Sequence, residues 1–90
     1  MNEAELIKRT KDFAKLIINL CRSLPNNWEG RLVGDQLFRS GTSVAANYRA
    51  ACRGRSKAEF ISKVCIVAEE ADETQFWLEL INEMNISKDS

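Results

Sequence analysis

The chain has 90 residues, of which 44% are apolar and 29% charged, a balance that places it among globular domains and apart from disordered chains. Thirteen cations against thirteen carboxylates leave no net charge, which excludes the strongly basic composition of a generic polyanion binder. Histidine is absent, and with it the commonest general base and the commonest metal ligand.

One domain is expected at this length. No stretch approaches the roughly 18 consecutive apolar residues of a membrane span. The start Met1-Asn2-Glu3-Ala4-Glu5 lacks the charged-then-apolar order of a secretory signal. The expectation is a cytoplasmic protein with no membrane partner. Cys21, Cys52 and Cys65 are odd in number, far apart and without a Cys-x-x-Cys pair, so they read as reduced thiols and not as a disulfide framework or a zinc site. No metal and no cofactor is expected.

The first predicted element is a helix over residues 3–24. Asn2 and Glu5 have capping-box spacing, and Leu6, Phe13, Ile17, Leu20 and Leu24 recur at helical intervals with Ala14 and Cys21 beside them. Lys8, Lys11, Lys15 and Arg22 fall largely on the other side. Pro25 stops this helix, because the residue before a proline is pushed out of the helical region.

A second helix is expected over residues 27–52, with Asn26 and Glu29 again spaced as a capping box. Val33, Leu37, Gly41, Val44, Tyr48 and Ala51 form its seam. Its middle is made of small residues from Ser40 to Ala46. Gly41 costs about 1 kcal/mol against Ala inside a helix, so a close neighbour that only a glycine admits is expected there, with a helix break as the alternative.

Gly54 follows the second helix, and Ser56 with Glu59 supplies a third capping box for a helix over residues 57–84. One seam runs Phe60, Val64, Val67, Ala71, Thr74, Leu78, Ile81. Another, rotated by about 100°, holds Ile66, Trp77, Leu80 and Met84. Apolar surface on two faces exceeds what three helices bury, so the second seam is read as an oligomer or partner-helix surface. Residues 86–90 read as a frayed tail. The fold class is therefore all-α: an antiparallel up-and-down helical bundle with three long helices joined by short connections.

Charge is divided by helix. Residues 28–58 hold six cations against two carboxylates, and residues 59–90 two cations against eight carboxylates. A basic and an acidic helix would pair as neighbours, within one subunit or between two. Arg39, Ser43 and Asn47, at i, i+4 and i+8, share a face beside the small residues, where a neighbour would bury them; Glu69 and Glu73 are the carboxylates expected to answer a buried Arg. The alternative is an anion site. Arg49, Arg53, Arg55 and Lys57 cluster at the second turn and are the candidate phosphate contacts if the protein binds nucleic acid. Catalysis is not expected, since the serines and cysteines have no histidine to activate them.

The run Arg39-Ser40-Gly41-Thr42-Ser43-Val44-Ala45-Ala46-Asn47-Tyr48-Arg49, followed by Arg55-Ser56-Lys57-Ala58-Glu59-Phe60, resembles a bacterial family first found encoded in intervening sequences of 23S ribosomal RNA genes. The resemblance covers about residues 6–84. The family's Arg, Ser and Asn on the second helix are matched by Arg39, Ser43 and Asn47. Its turn before Glu-Phe is matched by Ser56, Glu59 and Phe60, and its downstream Glu by Glu73. The chain departs from it in having Ala50-Ala51 where many members have Glu-Gly, and in stopping at Ser90 where members continue into a fourth helix. The resemblance implies a four-helix bundle with the fourth helix absent or truncated, without enzymatic activity, assembling as a homo-oligomer, often a pentamer. A related branch, the accessory protein of diversity-generating retroelements, implies a nucleic-acid or protein partner.

Overall fold

The computed structural model describes residues 2–86. It contains α1 (Glu3–Ser23), α2 (Trp28–Cys52) and α3 (Lys57–Glu83), with no strand among the described residues. The fold is all-α. Each helix starts on a side-chain cap in extended conformation: Asn2 accepts from the Glu5 amide, Asn27 from the Gly30 amide and Ser56 from the Glu59 amide. The second cap is thus Asn27, one residue later than the Asn26–Glu29 spacing suggested. The first turn of α2 places Gly30 against the Pro25 carbonyl, where any Cβ would collide with it, and the Gly30 amide donates to the Asn27 side chain at 2.8 Å. Asn26 is left to accept from the Arg31 guanidinium instead, at 3.3 Å.

The helices alternate in direction, and α2 is the middle one. It packs on α1 and on α3, whereas the backbones of α1 and α3 stay more than 8 Å apart. The result is a rod with extents of 47 × 19 × 17 Å, built around α2. Accordingly α2 supplies most of the buried residues, Gly30, Val33, Leu37, Ser40, Gly41, Val44 and Ala51. From α1 come Ala14 and Ile17, and from α3 only Thr74. Full burial of an aliphatic side chain such as Leu37 or Ile17 contributes about 1.5–3 kcal/mol.

Two contacts set the register. α2 runs unbroken through Gly41, and the close neighbour is Ile17 of α1; a Cβ on Gly41 would lie 2.7 Å from Ile17 Cγ2. One residue earlier, the buried Ser40 hydroxyl is hydrogen-bonded to that of Thr74 on α3, at 2.9 Å, and Thr74 also donates toward the Glu70 carbonyl. Ile17 and Thr74 therefore sit at about one height, on faces of α2 roughly 100° apart.

The end of α3 corrects one expectation. Asn85 adopts a left-handed conformation, the Asn85 amide bonds back to Asn82 and the Ile86 amide to Ile81, which together form a Schellman motif. Ile86 is not frayed: it is buried against Leu24 and Val33, with Trp77 and Ile81 packed around them. The rest of the expected tail, residues 87–90, lies outside the described residues.

Candidate functional site

Arg39 leaves α2 toward α3 and binds two carboxylates there. Its Nη1 donates to Glu70 Oε2 at 2.9 Å, its Nη2 donates to Glu73, and the Trp77 indole donates to the same Glu73 oxygen at 3.0 Å. Glu70, Glu73 and Trp77 meet because residues three and four apart share a helix face. The Arg39 guanidinium, with the indole second, holds the Glu73 carboxyl below its ordinary range, and Glu73 in turn raises Arg39.

This arrangement differs from the predicted network in three respects. Arg39 is half exposed and not buried, its side chain 48% accessible while its guanidinium reaches Glu70 on α3. Its second carboxylate is Glu70; Glu69, one residue earlier and about 100° around the helix, is exposed and has no bond to Arg39. Ser43 and Asn47 share the stripe without crossing to α3: the Asn47 amide donates to the Ser43 carbonyl within α2, at 2.9 Å. The buried cross-helix link is made by Ser40 and Thr74; Thr74 is the one hydroxyl residue of the first α3 seam, whereas Ser40 stands beside the α2 seam among the small residues around Gly41. With both guanidinium edges on carboxylates, Arg39 offers little to an outside anion.

The α2–α3 turn is different. Arg49, Arg53, Arg55 and Lys57 are exposed, and among the described residues none lies within ion-pair distance of a carboxylate. The Glu59 carboxylate is occupied locally, accepting from the Arg55 backbone amide at 3.2 Å. Phe60 and Ile61 emerge beside this basic turn, each substantially exposed.

The second α3 seam is divided by the packing. Ile66, Trp77 and Leu80 are half-buried, while Met84 is 64% exposed. Trp77 packs on the Leu24–Val33–Ile86 cluster and edge-to-face on Phe76, with ring centroids 5.0 Å apart, so it belongs partly to the core. α2 adds Trp28 and Leu32 at the same end of the rod, 71% and 59% exposed. On the opposite side of α3, a cleft of about 280 Å³ separates it from α1, lined by Leu20, Leu78, Ile81, Asn82, Asn85 and Ile86.

Among the described residues no three carboxylates or cysteines gather as metal ligands. The Cys21 thiol donates to the Gly34 carbonyl at 3.5 Å, and burial pushes its pKa up, away from the thiolate that chemistry would require. No helix among the described residues is long and apolar enough to cross a membrane.

The family described as the 23S rRNA-intervening sequence protein matches residues 2–90. A 1.70 Å crystal structure of a protein of unknown function from the S23 ribosomal protein family, from Bacteroides thetaiotaomicron VPI-5482, shares the fold with a TM-score of 0.87. The two are 37% identical over 99% of this chain and 80% of that one. No curated protein matches the chain.

Proposed function

The chain belongs to the 23S rRNA-intervening sequence protein family, and from that premise we propose that it acts as a non-enzymatic, cytoplasmic interaction module that works by self-association. The observation that supports this most is the apolar surface left open at one end of α2 and α3. Trp28, Leu32 and Met84 project there next to the half-buried Trp77 and Leu80. Several large apolar side chains exposed at one end of a small domain are what a protein interface would cover. A scaffold role fits a chain whose polar clusters serve packing: Arg39 is neutralised by Glu70 and Glu73, and the thiols have no activating base.

A second reading is favoured by the unpaired basic turn. Repeated around an assembly, Arg49, Arg53, Arg55 and Lys57 would convert weak phosphate contacts into multivalent nucleic-acid binding.

Size-exclusion chromatography with light scattering tests both. The wild-type chain is expected as a discrete multimer with a protein-like ultraviolet spectrum, and Leu32→Glu with Met84→Glu is expected to reduce it to the 10.2 kDa chain with helicity by circular dichroism unchanged. A monomeric wild type would reject the module. A multimer carrying nucleic-acid absorbance that salt strips away would put the second reading first.

A further inference from the structure

The charge division that sequence alone assigned to neighbouring helices is largely unspent inside the chain. The backbones of α1 and α3 stay more than 8 Å apart, and among the described residues the ion pairs between helices are those of Arg39 with Glu70 and Glu73. α1 carries an exposed cationic stripe, Lys8, Lys11, Lys15 and Arg22, at 3-4-7 spacing, within which Asp12 pairs with Lys8 at 2.8 Å and lies 4.0 Å from Lys15, leaving the stripe with a net positive charge. Lys15, Ile18, Asn19 and Arg22 line one shallow depression on that face. The outer face of α3 carries Asp72, Glu79 and Glu83 around the half-exposed Phe76. These two faces belong to helices that pack on α2 at consecutive residues, roughly 100° apart around it, and each is exposed to solvent.

Their heights match. Ile17 packs on Gly41 and Thr74 bonds to Ser40, adjacent positions of α2, so Ile17 and Thr74 are level. α1 and α3 run in the same direction, each rising about 1.5 Å per residue. Two residues back from that level are Lys15 and Asp72; five residues forward are Arg22 and Glu79. A second copy turned about an axis along the rod keeps every height. It would bring Lys15 opposite Asp72, Arg22 opposite Glu79 and the apolar Ile18 near Phe76.

We propose that the α1 flank of one copy docks on the α3 flank of the next, with helices parallel and with Lys15–Asp72 and Arg22–Glu79 as the matching pairs. This rests on the self-association reading and adds to the apolar end of α2 and α3 a second surface of the same assembly. The contact is heterologous, so it uses both flanks of every copy and leads to a closed ring when the rotation closes. Opposite charge at the rim sets partner orientation and rate more than affinity, while the apolar contacts at its centre supply adhesion.

A charge swap tests it by light scattering. Lys15→Glu with Arg22→Glu, and separately Asp72→Lys with Glu79→Lys, are each expected to drop the wild-type multimer to the 10.2 kDa chain at moderate salt. The four substitutions placed together in one chain are expected to restore the wild-type mass. All four side chains are exposed and outside the Arg39 network, so circular dichroism should show unchanged helix. A wild-type multimer whose mass survives either reversal, or a swap that fails to reassemble, overturns the pairing while leaving self-association standing. A monomeric wild type overturns both. Loss of bound nucleic acid without loss of mass on reversing α1 would assign that stripe to a polyanion and overturn the pairing as well.

Discussion

Gly41 shows how a single residue is read differently on a bare helix and in this fold. On an isolated helix, Gly→Ala stabilises by about 1 kcal/mol. Here the added methyl would meet Ile17 at 2.7–3.0 Å, and Ile17 is buried, branched at Cβ and unable to turn away. Overpacking a filled core costs about 1–3 kcal/mol. Gly41→Ala is therefore expected to lower stability by about 1 kcal/mol or more in urea denaturation. Combining it with Ile17→Ala should recover part of that loss; an ordinary stabilising Gly→Ala effect would show that α1 does not approach α2 there. The small-residue patch marked this position in the sequence. The identity of the intruder did not follow from it, because contacts between helices depend on register.

At the scale of elements, α2 and α3 are joined by one exposed ion cluster and one buried hydroxyl pair. The cluster makes a pH prediction. Arg39 and then the Trp77 indole depress the Glu73 pKa in the folded chain, so the unfolded state binds the proton more readily. Stability from this carboxylate is fully present above its unfolded value of about 4.3 and is lost as pH falls through the lower folded value. Urea midpoints measured from neutral pH downward should decline across that acid range, and Glu73→Gln should flatten the decline. Equal slopes in both chains would remove Glu73 from the linkage. The Arg39 half of this cluster was legible as a polar stripe. Choosing Glu70 over Glu69 was not, since a shift of one residue turns a side chain by about 100°, and only the packed phase of α3 sets which carboxylate faces α2.

At the scale of the whole molecule, α3 is long but buries only Thr74 completely, and α1 and α3 each pack on α2 with their backbones more than 8 Å from one another. A rod so open should gain stability from association. The thermal midpoint is expected to rise with protein concentration, as it does whenever the folded state binds its partner and the unfolded state does not. A midpoint independent of concentration would mark the chain as self-sufficient. The two apolar seams of α3 were already visible as a surplus in the sequence. Their fates diverged in the fold: Trp77 was drawn into the end cluster with Ile86, and Met84 was left outside.

The amino-acid sequence by itself determined what is local: the helical periods, the caps at Asn2 and Ser56, the stop at Pro25, the basic turn and the acidic third helix. These follow from interactions within about four residues, which spacing records directly. The tertiary structure alone decided what depends on the relative phase and height of separate helices. That includes the Ser40–Thr74 bond, Glu70 as the second partner of Arg39, Asn27 as the cap above Gly30, the burial of Ile86, and the level alignment of Lys15 with Asp72. Small shifts in register or rotation exchange one neighbour for another in such contacts, and no pattern inside a single helix carries that information.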